Sequence, residues 1–233
     1  MLSTQWVVRW GCVVLIALAT LIQMIGMGAP YWFKEQAKPA AYQAFLQVLK
    51  REGVDPGANA TQPGAITRAE VHVGLWRWCV DVTVWGVFYS ACKSPELGDF
   101  QGWWKGCQAL SLVGTLMGVL ACICAVMEVY YTRRGTRFSG LAVLCAICCF
   151  VAAVGMGLSH GLFATRYMEN HLRIVHLPTL SGGTIISTFP PVLDWAFGLG
   201  AAGATLIGVT GIILVAFVTK TYPAYQRTES VVV

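Results

Sequence analysis

Four apolar runs, at 7–29, 108–131, 138–164 and 192–218, constrain this chain more than any other feature. A helix needs about 20 residues to cross the hydrocarbon core of a bilayer, and each run meets that length. Charged residues make up 12% of the chain and hydrophobic ones 56%. A soluble globular chain carries roughly twice that charge, about 25%, so lipid is expected to be the solvent for much of this surface. The first run, with Arg9 on its flank, has the look of a secretory signal. Its apolar core is too long for one, and it is expected to stay as a span.

Lys and Arg in the short connectors set the expected orientation. Arg9, the turn at 132–137 with Arg133, Arg134 and Arg137, and the tail at 219–233 with Lys220 and Arg227 are compact and basic. With four spans these segments share one side, which places both termini in the cytoplasm. The loops at 30–107 and 165–191 then lie outside. The larger balances eight bases with seven acids and contains Asn59-Ala60-Thr61, a candidate N-glycosylation acceptor. Between spans, small residues let backbones approach where the hydrophobic effect gives no help. Gly114-x-x-x-Gly118, Gly155-x-Gly157 and the series Gly198, Gly200, Gly203, Gly208 and Gly211 provide such faces. They predict a compact, left-handed four-helix transmembrane bundle, with the whole chain as one domain.

In the large loop the pattern changes from helical to extended. Val71, Val73 and Leu75 alternate with His72, Gly74 and Trp76, the period of a half-buried strand. Val82, Val84, Trp85, Val87, Phe88 and Tyr89 supply a second β-prone stretch, and 37–51 has the pattern of a short amphipathic helix. Of nine cysteines, six (Cys12, Cys122, Cys124, Cys145, Cys148 and Cys149) sit in apolar runs, where they read as small packing residues. Cys79, Cys92 and Cys107 lie in or beside the polar loop.

Trp32 at the exit of the first run, followed by Gly74-Leu75-Trp76-Arg77-Trp78-Cys79 and then Cys92, resembles the W…GLW-x-x-C…C signature of the claudin superfamily. That superfamily holds claudins, peripheral myelin protein relatives and gamma-type channel auxiliary subunits. Ala29-Pro30-Tyr31-Trp32 is similar to the exit of a claudin first helix. The resemblance implies a Cys79–Cys92 disulfide stapling a small extracellular antiparallel sheet. It also implies that Trp32 with Gly74, Leu75 and Trp76 anchors that sheet. A bond of this kind persists in an oxidising lumen and is worth about 3 kcal/mol. Trp78, Trp85, Trp103 and Trp104 are expected at the membrane interface or on the surface.

The chain departs from ordinary claudins in several places. The interval from Trp32 to Gly74 is longer, the cysteines follow C-x12-C, and Gln108 stands where claudins have an arginine that ties loop to helix. The second loop lacks an aromatic–proline turn, although Pro178, Pro190 and Pro191 are present. A long first loop with a sequon, Gly-Leu-Trp-Arg, and an acid such as Glu128 near the inner end of the second span also resemble the gamma-type subunits.

Catalysis needs convergent groups, and the sequence offers none by spacing. His72, His160, His171 and His176 do not pair with cysteines at metal spacing, and no phosphate loop or run of bases for nucleic acid is present. No enzyme activity, cofactor or metal is expected. Glu128 and Asp194 lie near span ends, within reach of interfacial water. The last residues, Val231, Val232 and Val233, suit strand addition to a PDZ scaffold. The resemblance therefore implies a plasma-membrane protein of cell–cell junctions. It would associate with itself in cis and in trans and form a paracellular barrier or ion pathway, with Asp81 and Lys93 as candidate charge-selecting residues. The alternative is an auxiliary subunit packed laterally against an ion channel or receptor.

Overall fold

A computed structural model describes residues 4–38, 42–62, 64–94, 102–134, 139–174 and 190–221. The chain forms two compact units. One comprises Met1–Met24, Ala109–Ser159 and Leu199–Val233, the other Ile25–Gln108 and His160–Gly198. Four helices are long and apolar enough to cross a membrane: α1 (Thr4–Gly28), α3 (Gly102–Arg133), α4 (Ser139–Ile174) and α5 (Trp195–Thr221). Between α1 and α3 lie β1 (Phe33–Gln36), α2 (Tyr42–Arg51), β2 (Ile66–Val73), β3 (Trp78–Val84) and β4 (Val87–Lys93); β5 (Val192–Leu193) precedes α5.

The first, helical unit draws on all four long helices. Its core is built from small and soft side chains, among them Ile16, Ala19, Ala121, Cys124, Cys145, Cys149, Ala152, Met156 and Ile207. Glycines sit where nothing larger fits. A Cβ on Gly114 would lie 2.7 Å from Met156 Cγ and 3.1 Å from the Ala152 carbonyl oxygen, and one on Gly203 would lie 3.0 Å from the Ala19 carbonyl oxygen. Gly157 and Gly198, expected on packing faces, instead have open space where a Cβ would go. Glu128, expected within reach of interfacial water, is not a lone acid: Arg9 pairs with it and also donates to Thr132 Oγ1, tying α1 to α3.

The second unit is built on a five-stranded antiparallel sheet of order β4-β3-β2-β1-β5. The sequence pattern predicted two strands. The stretch at 82–89 is in fact divided between β3 and β4 by a two-residue turn at Trp85-Gly86, with φ of 49° and 79°. Positive φ at both central residues is the hairpin turn whose twist matches the flanking strands. The amphipathic helix is present as α2, which buries Phe45, Leu46, Val48 and Leu49 against β2, β3 and β4. It stops at Gly53 (φ 83°), where Val54 N donates to Leu49 O and Gly53 N to Lys50 O. Those two bonds satisfy carbonyls that the last helical turn leaves open.

Two helix ends differ from expectation. α3 starts at Gly102 rather than 108, and α4 continues past 164 to Ile174. In the extension, Tyr167 is fully buried and its hydroxyl donates to the buried Glu35 carboxylate at 2.5 Å. That contact gives a polar stretch a reason to remain helical. Residues 192 and 193, expected to open the last span, pair instead with β1 as β5.

Candidate functional site

Strand register gives the sheet two different faces, because side chains alternate along each strand. Val71, Val73, Val80, Val82 and Val84 point one way and join Phe33, Phe45 and Leu49 in the buried core. The opposite face carries Lys34, Glu70, His72, Cys79, Asp81, Ser90 and Cys92, which the register places in neighbouring positions. Cys79 and Cys92 are directly opposed on β3 and β4 and form a disulfide.

Trp32 is fully buried among aromatic rings. It stacks on His160 at 4.5 Å and meets the edges of Phe163 and Phe197 at 5.1 and 5.9 Å. Its indole N–H donates to Gly26 O at 2.6 Å, and its backbone N–H to Val73 O at 3.2 Å. The end of β2 therefore lies directly on the exit from α1. Gly74 is the residue of closest approach. A Cβ there would sit 2.5 Å from Ala29 O and 2.7 Å from Pro30 Cα, so any other residue must push strand and exit apart.

Leu75 is fully buried, and its carbonyl accepts from both Trp104 Nε1 and Gln108 Nε2 at 2.9 Å. Gln108 thus supplies a loop-to-helix bond even without an arginine. Trp104, expected at an interface or on the surface, is a buried member of the anchor. Trp76 is half-buried, and its indole N–H has no partner among the described residues.

The polar face holds a network that sequence spacing did not reveal. Glu70 Oε1 accepts from Arg68 Nε at 2.7 Å and Lys34 Nζ at 3.0 Å. Burial alone would push the Glu70 carboxyl up, but the hydrogen bonds and charges of Arg68 and Lys34 outweigh it and hold the group below its ordinary value. His72 stands between two further carboxylates, with Nδ1 3.1 Å from Asp194 Oδ2 and Nε2 3.3 Å from Asp81 Oδ2. A neutral imidazole donates to one of them; the imidazolium donates to both. Tyr31 packs its edge on His72 at 4.8 Å and stacks with Trp195 at 5.6 Å. These groups line a cavity of about 290 Å³. Burial, then the charges of Asp81 and Asp194, push the Tyr31 hydroxyl up. The cavity brings three carboxylates together with Lys34, Arg68 and the His72 imidazole, and these contacts tie neighbouring strands to one another.

The remaining sequence candidates are dispersed. Asp81 is 8% exposed and accepts from Ser90 Oγ at 2.6 Å, so it is turned into the cavity and is not a solvated surface charge. Lys93 is half-buried on the other face, 3.5 Å from Glu52. Asn59 is exposed on a single 3-10 turn, Ala58–Thr61. Asp194, read as an acid at a span end, caps the start of α5 through Trp195 N at 2.7 Å and holds His72. Val231, Val232, Val233, His176 and the side chain of His171 lie outside the described residues. Among the described residues, no three His, Cys, Asp or Glu side chains are grouped as a metal site. No protein-family model matches this chain, and no curated protein does either.

Proposed function

We propose that this chain is a claudin-like cell–cell contact protein. Its four long helices would form a left-handed bundle in the plasma membrane, with both termini cytoplasmic. Its sheet would lie outside, associating with neighbours in the same membrane and with copies on an apposed cell. The observation that carries this reading is the Trp32–Gly74–Leu75 anchor beneath a disulfide-stapled sheet. It ties β2 and the residues after it to helix ends through hydrogen bonds and buried rings, as a contact protein requires. Among the described residues β4 is an outer strand of the sheet: Val87 and Phe88 are more than half exposed, and a strand edge of this kind is a template for association.

A paracellular pathway would take its selectivity from charges on this surface. Lys93, half-buried and paired with Glu52, is less enclosed than Asp81, which is engaged inside the cavity. Val231–233 are proposed as a PDZ scaffold ligand. The auxiliary-subunit reading draws on α2, but α2 spends its apolar face on the sheet and Glu128 is matched within the chain by Arg9, so both features favour it less.

Fluorescently tagged protein in mixed fibroblasts, some expressing and some not, tests the proposal. Enrichment is expected only where two expressing cells touch. Uniform labelling of the surface, with delivery verified, would remove homotypic adhesion and shift the reading to an auxiliary subunit.

A further inference from the structure

Trp85 combines three unusual properties in one residue. It is the only non-glycine among the described residues with positive φ, at a hairpin position that favours Asn or Gly. It is a large aromatic with 58% of its surface exposed. And its indole reaches across 26 residues to the candidate acceptor of the sequon, with Nε1 donating to Asn59 O at 3.4 Å. Its backbone N–H is fixed to Ala65 O at 2.9 Å, so the turn Ala58–Thr61 and the tip of the β3–β4 hairpin are held side by side. Asn59 itself is exposed, while Ala60, at 1% exposure, pins the turn to the core.

We infer that Asn59 carries an N-linked glycan whose first sugar packs on the exposed face of Trp85. This deepens the proposed function and rests on its placing 30–107 outside the cytoplasm. Attachment transfers an oligosaccharide from a lipid pyrophosphate donor. The bond from the sugar's anomeric carbon to Asn59 Nδ2 forms and the sugar–phosphate bond breaks. The amide gives up one proton and the lipid pyrophosphate leaves. The sugar's axial C–H groups then meet the electron-rich indole face, which is the negative pole of the ring. Coverage of this kind accounts for a strained, water-facing tryptophan where an unmodified hairpin would gain from Asn or Gly.

The full chain is expressed in animal cells as wild type, Asn59→Gln, Trp85→Asn and the double variant. Endoglycosidase treatment should increase the mobility of the wild type and leave Asn59→Gln unchanged. Trp85→Asn should lower the melting temperature of the glycosylated protein by about 2–4 °C. In the Asn59→Gln background it should leave that temperature unchanged or raise it, because the turn is relieved. Trp85→Phe keeps an aromatic face and should retain most of the glycan-dependent gain, which covers the case that Trp85→Asn does not fold. A wild type with no glycan but an intact Cys79–Cys92 bond overturns the inference and leaves the outside placement standing. Absence of both glycan and disulfide overturns the inference and the placement together. An equal effect of Trp85→Asn with and without the glycan overturns the sugar platform.

Discussion

The helical unit and the sheet unit of this chain solve the same packing problem with opposite materials. In the helical unit, cohesion comes from what side chains lack: Gly114, Gly155 and Gly203 bring backbones to contact, and cysteines and alanines fill the remaining space. In the sheet unit, cohesion comes from what side chains add. Trp32, Phe33, Phe163, Trp104 and Tyr167 form the largest buried masses, their polar atoms are hydrogen-bonded, and a covalent bond closes β3 on β4. The difference fits two solvents. Under the proposed membrane placement, lipid would offer helices no hydrophobic reward for association, so close fit would have to supply it, whereas burial of aromatic surface from water would reward the sheet unit directly.

Removing the largest mass should break the comparison most visibly. Trp32→Ala should cost about 3–5 kcal/mol, as large aromatic truncations do in a core. Proteolysis should then open the sheet unit at temperatures where far-UV helicity is retained. Simultaneous loss of both signals would mean that the two units do not melt independently. The staple comes next. Cys79→Ser should cost about 2–4 kcal/mol and sharply reduce surface delivery. Reductant should reproduce the effect in the wild type, and an unchanged melting curve in reductant would show that the strand pairing alone holds the hairpin.

The helical unit should respond to the reverse change, an added side chain. Gly114→Leu forces atoms against Met156 and the Ala152 carbonyl, and overpacking of this kind costs about 1–3 kcal/mol. Thermal loss of helicity should come earlier while the Cys79–Cys92 bond stays protected from alkylation. A neutral result would mean that α3 and α4 part easily at this crossing.

How much of this was legible in the sequence depended on how local the cause was. The long helices follow from runs of apolar residues, and α2 from its own amphipathic pattern. β1 was not legible: Phe33-Lys34-Glu35-Gln36 has no strand composition, and its inward Glu35 is satisfied by Tyr167, 132 residues away. The turn at Trp85-Gly86 was hidden because a tryptophan occupies a position that normally announces itself with Asn or Gly. The Glu70–His72–Asp81–Asp194 network escaped for a related reason. Each residue is unremarkable on its own strand, and only the return of the chain at β5 brings Asp194 to within 3.1 Å of His72. The disulfide pairing came from resemblance to a family signature, and the register of β3 on β4 gives it a physical basis.

The smallest expected effect belongs to the polar face and distinguishes its electrostatics from the apolar packing behind it. Glu70 is held below its ordinary carboxyl value in the folded protein by Arg68 and Lys34. A depressed acid contributes stability above the unfolded carboxyl range, near pH 4.3, and loses it as pH falls through the folded value. Between pH 7 and 5 this group should leave the melting temperature unchanged. Below about pH 4 the wild type should lose stability faster than Glu70→Gln, which never gains the ion pairs and should already be weaker at neutral pH. If the two proteins ran parallel through the acid range, Lys34 and Arg68 would be contributing no more than surface pairs do, about 0–1 kcal/mol. The polar face would then owe its order to the valines behind it.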